Sequence, residues 1–354
     1  MRTSTLTALA LALSTLLLAG CQREPAATPD AATAATGTDT PPAPAAAPAQ
    51  ADSGSSDGAG LQPYCVPGTG TAPRGELVAT RIPAADGDGS KGLYEGPVWS
   101  GEALYFSDFA FADGFPSKIR RLTAAGTVET VIDPSGSNGL ALGSDGALVA
   151  ATHDRKEISR FDLVDGSRMR IVGEYGGQPF NSPNDLVIGA DGTIWFTDPD
   201  YQRAAAPGGQ DKTRVYRVGT DGEVTVVDDS LYNPNGIALS PDGNTLYVAG
   251  GGENGVLRAY PLVQGKPQGG HRDLVTDTTI PDGLAVDCLG NIYLTEHTRR
   301  QVRVVTPQGE PLATIAVDAN LTNAAFGGPQ RRTLYLTGAG SIWSIDLDVA
   351  GLPY

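Results

Sequence analysis

Six oxygen-bearing side chains recur along this chain at near-regular spacing: Glu95, Asn138, Asn184, Asn235, Asp282 and Asn323, separated by 43, 46, 51, 47 and 41 residues. Carboxylate and amide oxygens with no thiolate or imidazole among them make the donor set of a hard cation. Glu95 and Asp282 would neutralise a dication, while Asn184 and Asn235 would add neutral oxygens. Calcium accepts such an irregular set, completed by waters, more readily than magnesium does; Zn2+, Mg2+ and Mn2+ are the alternatives. No HExxH spacing is present to point to zinc. A plainer role also exists, because Asx and Glu side chains can satisfy turn backbones ahead of a strand. Turn chemistry would admit Ser or Gly somewhere in the set, however, and gives no reason for a Glu.

Each of the six opens a hairpin. The clearest copy is NSPNDLVIGADGTIWFTDPDY at 181–201, where a polar loop leads into a short apolar strand, an Asp191-Gly192 turn and a second strand. Two strands joined by Asp-Gly are a hairpin by ordinary turn chemistry. EGPVWSGEALYFSD, NGLALGSDGALVAATH, NGIALSPDGNTLYVAG, DGLAVDCLGNIYLTEH and NAAFGGPQRRTLYLTG are the other copies. A period of this length with strand signals alone is the signature of β-propeller blades. The expected fold is all-β: six four-stranded antiparallel blades, with the six oxygen-bearing residues converging on the central channel at one face. The final blade is short of an outer strand, and GELVATRI at 75–82 is expected to supply it and close the ring.

Strand direction returns the chain to the same face after each second strand. The corners there include His153-Asp154-Arg155, Asp198-Pro199-Asp200-Tyr201, Glu253-Asn254 and Glu296-His297-Thr298-Arg299. Asn138, His153, Arg155, Asp198, Tyr201 and His297 are therefore the candidate substrate-binding residues. The connection 202–212 is either a lid over this face or an idle surface loop.

The N-terminus has the form of a secretory signal over residues 1–20, ending in Leu18-Ala19-Gly20-Cys21, with the apolar run too short for a comfortable membrane span. These four residues resemble a bacterial lipobox, which implies lipidation of Cys21 and anchoring in the cell envelope; Gln22 favours the outer membrane, facing the periplasm. A cleaved signal without lipid is the competing reading. Residues 21–70 are rich in Ala, Pro, Thr, Ser and Gly, too poor in apolar surface to fold, and read as a tether ahead of a propeller at 71–354. GSSDG at 54–58 matches GxSxG in letters only, without the strand and helix that the motif requires. A net charge of −15 with no basic cluster excludes nucleic acid as a natural partner. Cys65 and Cys288 are either a disulfide or two free thiols; they cannot form a zinc cluster.

At YEGPVW (94–99), NSPNDLV (181–187), FTDPDY (196–201), NPNGIALSPDG (233–243), IPDGLAVD (280–287) and NAAFGG (323–328), the chain resembles the family of senescence marker protein, gluconolactonases and luciferin-regenerating enzyme. The resemblance implies a six-bladed propeller with a divalent metal on its axis, held by Glu95, Asn184, Asn235 and Asp282, and Asp282 as general base. One segment departs from the bacterial lactonase pattern: Thr152 stands where an acidic residue usually precedes the histidine, and Asp154-Arg155-Lys156 replace a small and basic run. The expected activity is metal-dependent hydrolysis of a small lactone or related ester by a monomer. The rivals are phosphoester or organophosphate hydrolysis on the same metal, and a non-catalytic ligand-binding propeller.

Overall fold

The computed structural model describes residues 65–66, 69–87 and 91–353. The signal, Cys21 and most of the tether lie outside them. Six small antiparallel sheets follow one another along the chain as the blades of a propeller. Blade one is Gly92–Trp99, Ala103–Ala110, Ser117–Thr123 and Val128–Ile132. Blade two is Ser137–Leu142, Leu148–Thr152, Glu157–Phe161 and Arg168–Val172, and blade three is Leu186–Ile188, Ile194–Asp198, Arg214–Val218 and Val224–Asp228. Blade four takes Ile237–Leu239, Thr245–Gly250, Gly255–Val263 and Arg272–Thr278, and blade five Pro281–Val286, Ile292–Glu296, Gln301–Val305 and Pro311–Ala316. Blade six has Leu321–Gly327, Thr333–Gly338 and Ile342–Asp346. The helices among the described residues are three 3-10 turns, and none is long and apolar enough to cross a membrane.

The hairpins form where the sequence places an Asx turn. The Asp191 carboxylate accepts from Thr193 N at 2.9 Å and Gly192 takes φ +84°, which a side chain would resist. Asp145, Asp242 and Asp287 make the same turn in other blades. Apolar residues alternating along the strands meet across each gap between blades. Between blades two and three, Phe180, Phe196 and Tyr216 stack with centroids 4.9 to 5.2 Å apart over Ala151, Ile158 and Leu186. The core is thus a ring of inter-blade layers, each buried by its neighbour.

Ring closure departs from the simple expectation. Of the segment 75–82, only Thr80–Arg81 pairs antiparallel with the last strand, Thr80 opposite Ser344 and Arg81 opposite Trp343. Gly75–Val78 instead runs parallel to Pro311–Ala316 and adds a fifth strand to blade five. The segment therefore bridges two blades, with buried Ala79 at the crossing donating to Ala316 O at 3.0 Å. Arg81 fixes it by bonding Asp318 and Ser341 and lying 5.0 Å over the Trp343 ring. Pairing in this way covers the open edge of blade five as well as that of blade six.

Cys65 and Cys288 form a disulfide, with Cα atoms 5.1 Å apart across 223 residues of sequence. It ties the start of the described chain to the hairpin turn of blade five. A cross-link over so long a loop stabilises by roughly 3–5 kcal/mol through the unfolded chain.

Candidate functional site

All six repeated residues are buried at the start of the inner strands. Adjacent inner strands bond directly there: Gly139 N donates to Asn184 O at 2.6 Å, and Gly236 N to Asp282 O at 3.0 Å. At four of the six positions such contact needs a glycine after the oxygen bearer. A Cβ on Gly96 would lie 2.4 Å from Asn138 O, and one on Gly236 2.3 Å from Asp282 O. A column of hydroxyls, unread in the sequence although present in every quoted copy but NGIALSPDGNTLYVAG, locks the ring from the second strands. Ser107 donates to Asn138 O at 2.6 Å, Thr197 to Asn235 O at 2.7 Å and Thr295 to Thr322 O at 2.8 Å, each reaching the next blade.

The axis gathers negative charge in a buried place. Glu95 accepts from Gly96 N at 3.1 Å, and its carboxyl is pushed well above the usual range by burial, then by the charges of Asp282 and Asp185. Asp185 was not among the expected residues. It sits where four other copies have Gly and the sixth Ala324, so that one blade alone projects a carboxylate into the narrow cavity lined by Gly96, Leu284 and Asn323. Its Oδ2 accepts from Asn323 Nδ2 at 3.2 Å, and burial lifts its pKa to about 7. Burial also raises Asp282, opposed by the hydrogen bond to His297.

Asp282 and His297 form a pair. His297 Nδ1 lies 2.5 Å from Leu321 O and 3.5 Å from Asp282 Oδ2. A carbonyl can only accept, so Nδ1 carries the proton. Burial works against the His297 cation, yet the bond to Asp282 and its charge outweigh it and leave the imidazole raised. The other oxygen of Asp282, Oδ1, is buried without a partner. Tyr201 reaches toward the same place: its hydroxyl donates to Asn233 O at 3.4 Å and feels the Asp282 charge and the Asn235 side chain. Burial, then the Asp282 charge, push the phenol upward, so it stays protonated.

The remaining expected residues divide. Both side-chain polar atoms of Asn138 are buried and unpartnered. His153 is buried against Phe109 and Phe115, with Nε2 donating to Phe115 O at 2.7 Å and Nδ1 left bare. Burial lowers its pKa, which keeps it neutral. Asp154 beside it makes two bonds to Arg168, at 2.9 and 3.0 Å, which fixes the corner. Arg155 is exposed on the turn. Asp198 spends both oxygens on backbone, accepting from Asn181 N at 2.9 Å and Ser182 N at 2.8 Å, with burial lifting its pKa to about 7. Its evident work is to hold the loop that carries Asn184. Lys156, which no motif marks out, is buried and donates to Asn181 O at 2.6 Å and Arg203 O at 2.9 Å. Gln210 is buried too, donating to Tyr175, Gln178 and Pro179 carbonyls. The connection 202–212 is therefore clamped at one end to Lys156 of the blade-two corner and at the other to the hairpin 174–179 that leads into blade three.

The donors fit a hard cation. Among the described residues no group of three or more His, Cys, Asp or Glu is arranged to hold a metal. A cation on the axis would thus depend on amide oxygens as well as on Glu95 and Asp282. The mutual repulsion of Glu95, Asp282 and Asp185 is what such an ion would relieve.

Residues 93–340 match the model of the SMP-30/Gluconolactonase/LRE-like region. The chain is 30% identical over 288 residues to a gluconolactonase of Zymomonas mobilis, covering 70% of this chain and 76% of that one. It is 29% identical over 266 residues to a pentonolactonase of Haloferax volcanii, covering 72% and 84%. Among solved structures, a gluconolactonase of Xanthomonas campestris superposes with a TM-score of 0.67 at 28% identity, over 78% of this chain and 99% of that one.

Proposed function

The chain belongs to the SMP-30/Gluconolactonase/LRE-like family, and from that premise we propose that it hydrolyses a sugar lactone at the propeller axis, with Asp282 as general base. The observation that carries this reading is the state of Asp282. It is buried, one oxygen is steadied by His297 and the other has no partner.

Glu95, Asn184, Asn235 and Asp282 would hold a divalent cation, calcium before the others, which when bound would polarise the lactone carbonyl as a Lewis acid. In the hydrolysis, a water oxygen bonds to the carbonyl carbon and gives up a proton to Asp282 Oδ1. The ring C–O bond then breaks, and the departing oxygen takes the proton held on Asp282 to become a hydroxyl, which restores the carboxylate; the acid product releases its own proton to water and leaves as carboxylate. Burial raises the Asp282 pKa while a bound cation would lower it, so the carboxylate works as a base to the extent that it is freed from the ion. His297 is a positioning residue that holds Oδ2 so that Oδ1 is left for the water. The protonated Tyr201 hydroxyl donates toward the oxygen that gains charge, and Asn138 offers its free amide to substrate hydroxyls. His153 offers a bare Nδ1 acceptor behind them.

Initial rates on a panel of aldonolactones, corrected for spontaneous opening, with and without chelator, test the reading. Turnover that chelator removes and calcium restores is expected; a panel opened no faster than in buffer would reject it. We further propose that Cys21 is lipidated and anchors a monomer to the envelope, a reading supported by its lipobox and by a disulfide suited to an oxidising compartment. A Cys21→Ser chain should leave the membrane fraction, and unchanged fractionation would contradict the anchor.

A further inference from the structure

A second cavity opens on the axis face, outward from the catalytic residues. It measures about 330 Å3 and is lined by Asp200, Arg203, Asp211, Lys212, Asp229 and Tyr232 among others. Two of these stand next in the chain to residues that meet at the Tyr201 hydroxyl. Asp200 precedes Tyr201, whose hydroxyl feels the Asp282 charge and lies 3.4 Å from Asn233 O, and Tyr232 precedes Asn233. Asp200 N also donates to Asn233 Oδ1 at 3.1 Å, so the two lips of the cavity are bonded to each other. The cavity lies along blade three, over the ends of Arg214–Val218 and Val224–Asp228, where the chain also enters the Tyr201 corner.

Its lining suits one chemistry. Lys212 pairs with Asp229 at 2.8 Å, and Asp211 with Arg214 at 2.7 Å, so most charge is internally paired. Three carboxylates face two cations among the lining residues, which disfavours an anionic guest. What remains is a dense alternation of donors and acceptors beside one aromatic ring. Tyr232 is 62% exposed, and a Cβ built on Gly252 would meet the edge of its ring at 3.8 and 4.0 Å. Paired polar groups around a bare aromatic face are the means of holding a neutral pyranose, by hydroxyl hydrogen bonds and by stacking of its C–H face. Exposed tyrosines scattered singly need no explanation; this one lines a cavity together with Asp200, the chain neighbour of Tyr201.

We propose that the cavity is a subsite for a second sugar unit, so that the substrate is the lactone of a disaccharide or longer oligosaccharide rather than a free monosaccharide lactone. This rests on the lactonase reading above. In a six-membered lactone, C4 lies across the ring from the carbonyl at C1. With the carbonyl at the axis, a sugar on O4 runs outward, toward Tyr232. The glycosidic bond takes no part; the chemistry is the same ring opening. The reaction that supplies such a substrate is oxidation of an oligosaccharide at its reducing-end hemiacetal carbon.

The test compares glucono-δ-lactone with cellobiono-δ-lactone, which share the reactive ring, on the folded chain with calcium, its Tyr232→Ala variant and its Tyr232→Phe variant. The wild type should show a KM for the disaccharide lactone lower by about tenfold, with similar kcat, as expected when one stacked unit adds roughly a factor of ten in affinity. Tyr232→Ala should erase that advantage and leave glucono-δ-lactone unchanged, while Tyr232→Phe keeps it. A wild-type KM no lower for the disaccharide lactone overturns the subsite, as does a Tyr232→Ala variant that shifts both substrates alike. Turnover of the monosaccharide lactone alone overturns the subsite and spares the lactonase reading; turnover of neither overturns both.

Discussion

His153 and His297 follow the second strands of blades two and five, at the same place in the repeat, and the protein uses them in opposite ways. His153 gives its Nε2 proton to Phe115 O, is wrapped by two phenyl rings and is held neutral by burial. His297 gives its Nδ1 proton toward Leu321 O and Asp282, and the carboxylate keeps its pKa raised in spite of burial. Equivalent places in a repeat therefore share a location but not a protonation state. The neighbours decide it: a carboxylate on the axis beside one ring, aromatic carbon beside the other.

The contrast can be broken from the axis outward. Glu95→Ala should have the largest effect short of losing the base itself, removing one of two carboxylates at the proposed cation site. Calcium affinity measured by calorimetry should fall beyond detection and lactone turnover by a thousandfold or about that. Unchanged calcium binding would remove the axis from the mechanism. His297→Gln comes next, with kcat down on the order of a hundredfold and KM little changed, because Asp282 keeps its place in the sequence but loses its anchor. His153→Gln should cost about tenfold and appear mainly in KM, since the bare Nδ1 meets substrate and not the base. Equal effects of the two substitutions on kcat would erase the distinction drawn between them.

The smallest effect is on stability. The folded pKa of His153 lies below its ordinary value, so the unfolded chain binds the extra proton first as pH falls. Stability that is present above about pH 6.5 should be lost progressively below it, down to the lower folded pKa. In His153→Gln this share of the acid sensitivity should vanish from melting curves taken between pH 7 and 5. A variant whose melting temperature falls with acid as steeply as that of the wild type would show that His153 is not buried neutral.

The six oxygen bearers and their hairpins were legible because a blade is a local unit: turn, strand and spacing are all written within some fifteen residues. Glu95, Asn184, Asn235 and Asp282 could be found by aligning the chain with itself. Asp185 could have been found the same way, as the one charged residue in a column that is otherwise Gly or Ala. The hydroxyls of Ser107, Thr197 and Thr295 also stood in a column, but small polar residues before a turn carry no visible meaning until the next blade's carbonyl is beside them. Lys156 was illegible for a different reason. Its burial depends on Asn181 and Arg203, 25 and 47 residues away, arriving at the same point. The segment 75–82 showed its strand character and its partner in the last blade, which Thr80–Arg81 meets, but not the parallel pairing of Gly75–Val78, since that depends on where a second blade edge happens to be open.

Asp282→Asn tests the central claim most directly, because it keeps the size and an oxygen donor while removing the charge and the base. Lactone turnover should be measured across a calcium titration, alongside calcium binding to the same variant. The account predicts that saturating calcium restores occupancy while kcat stays at least a thousandfold below wild type. Recovery of most of the wild-type rate once the site is filled would mean that Asp282 only holds the ion, and the proposed role of its free oxygen would be contradicted.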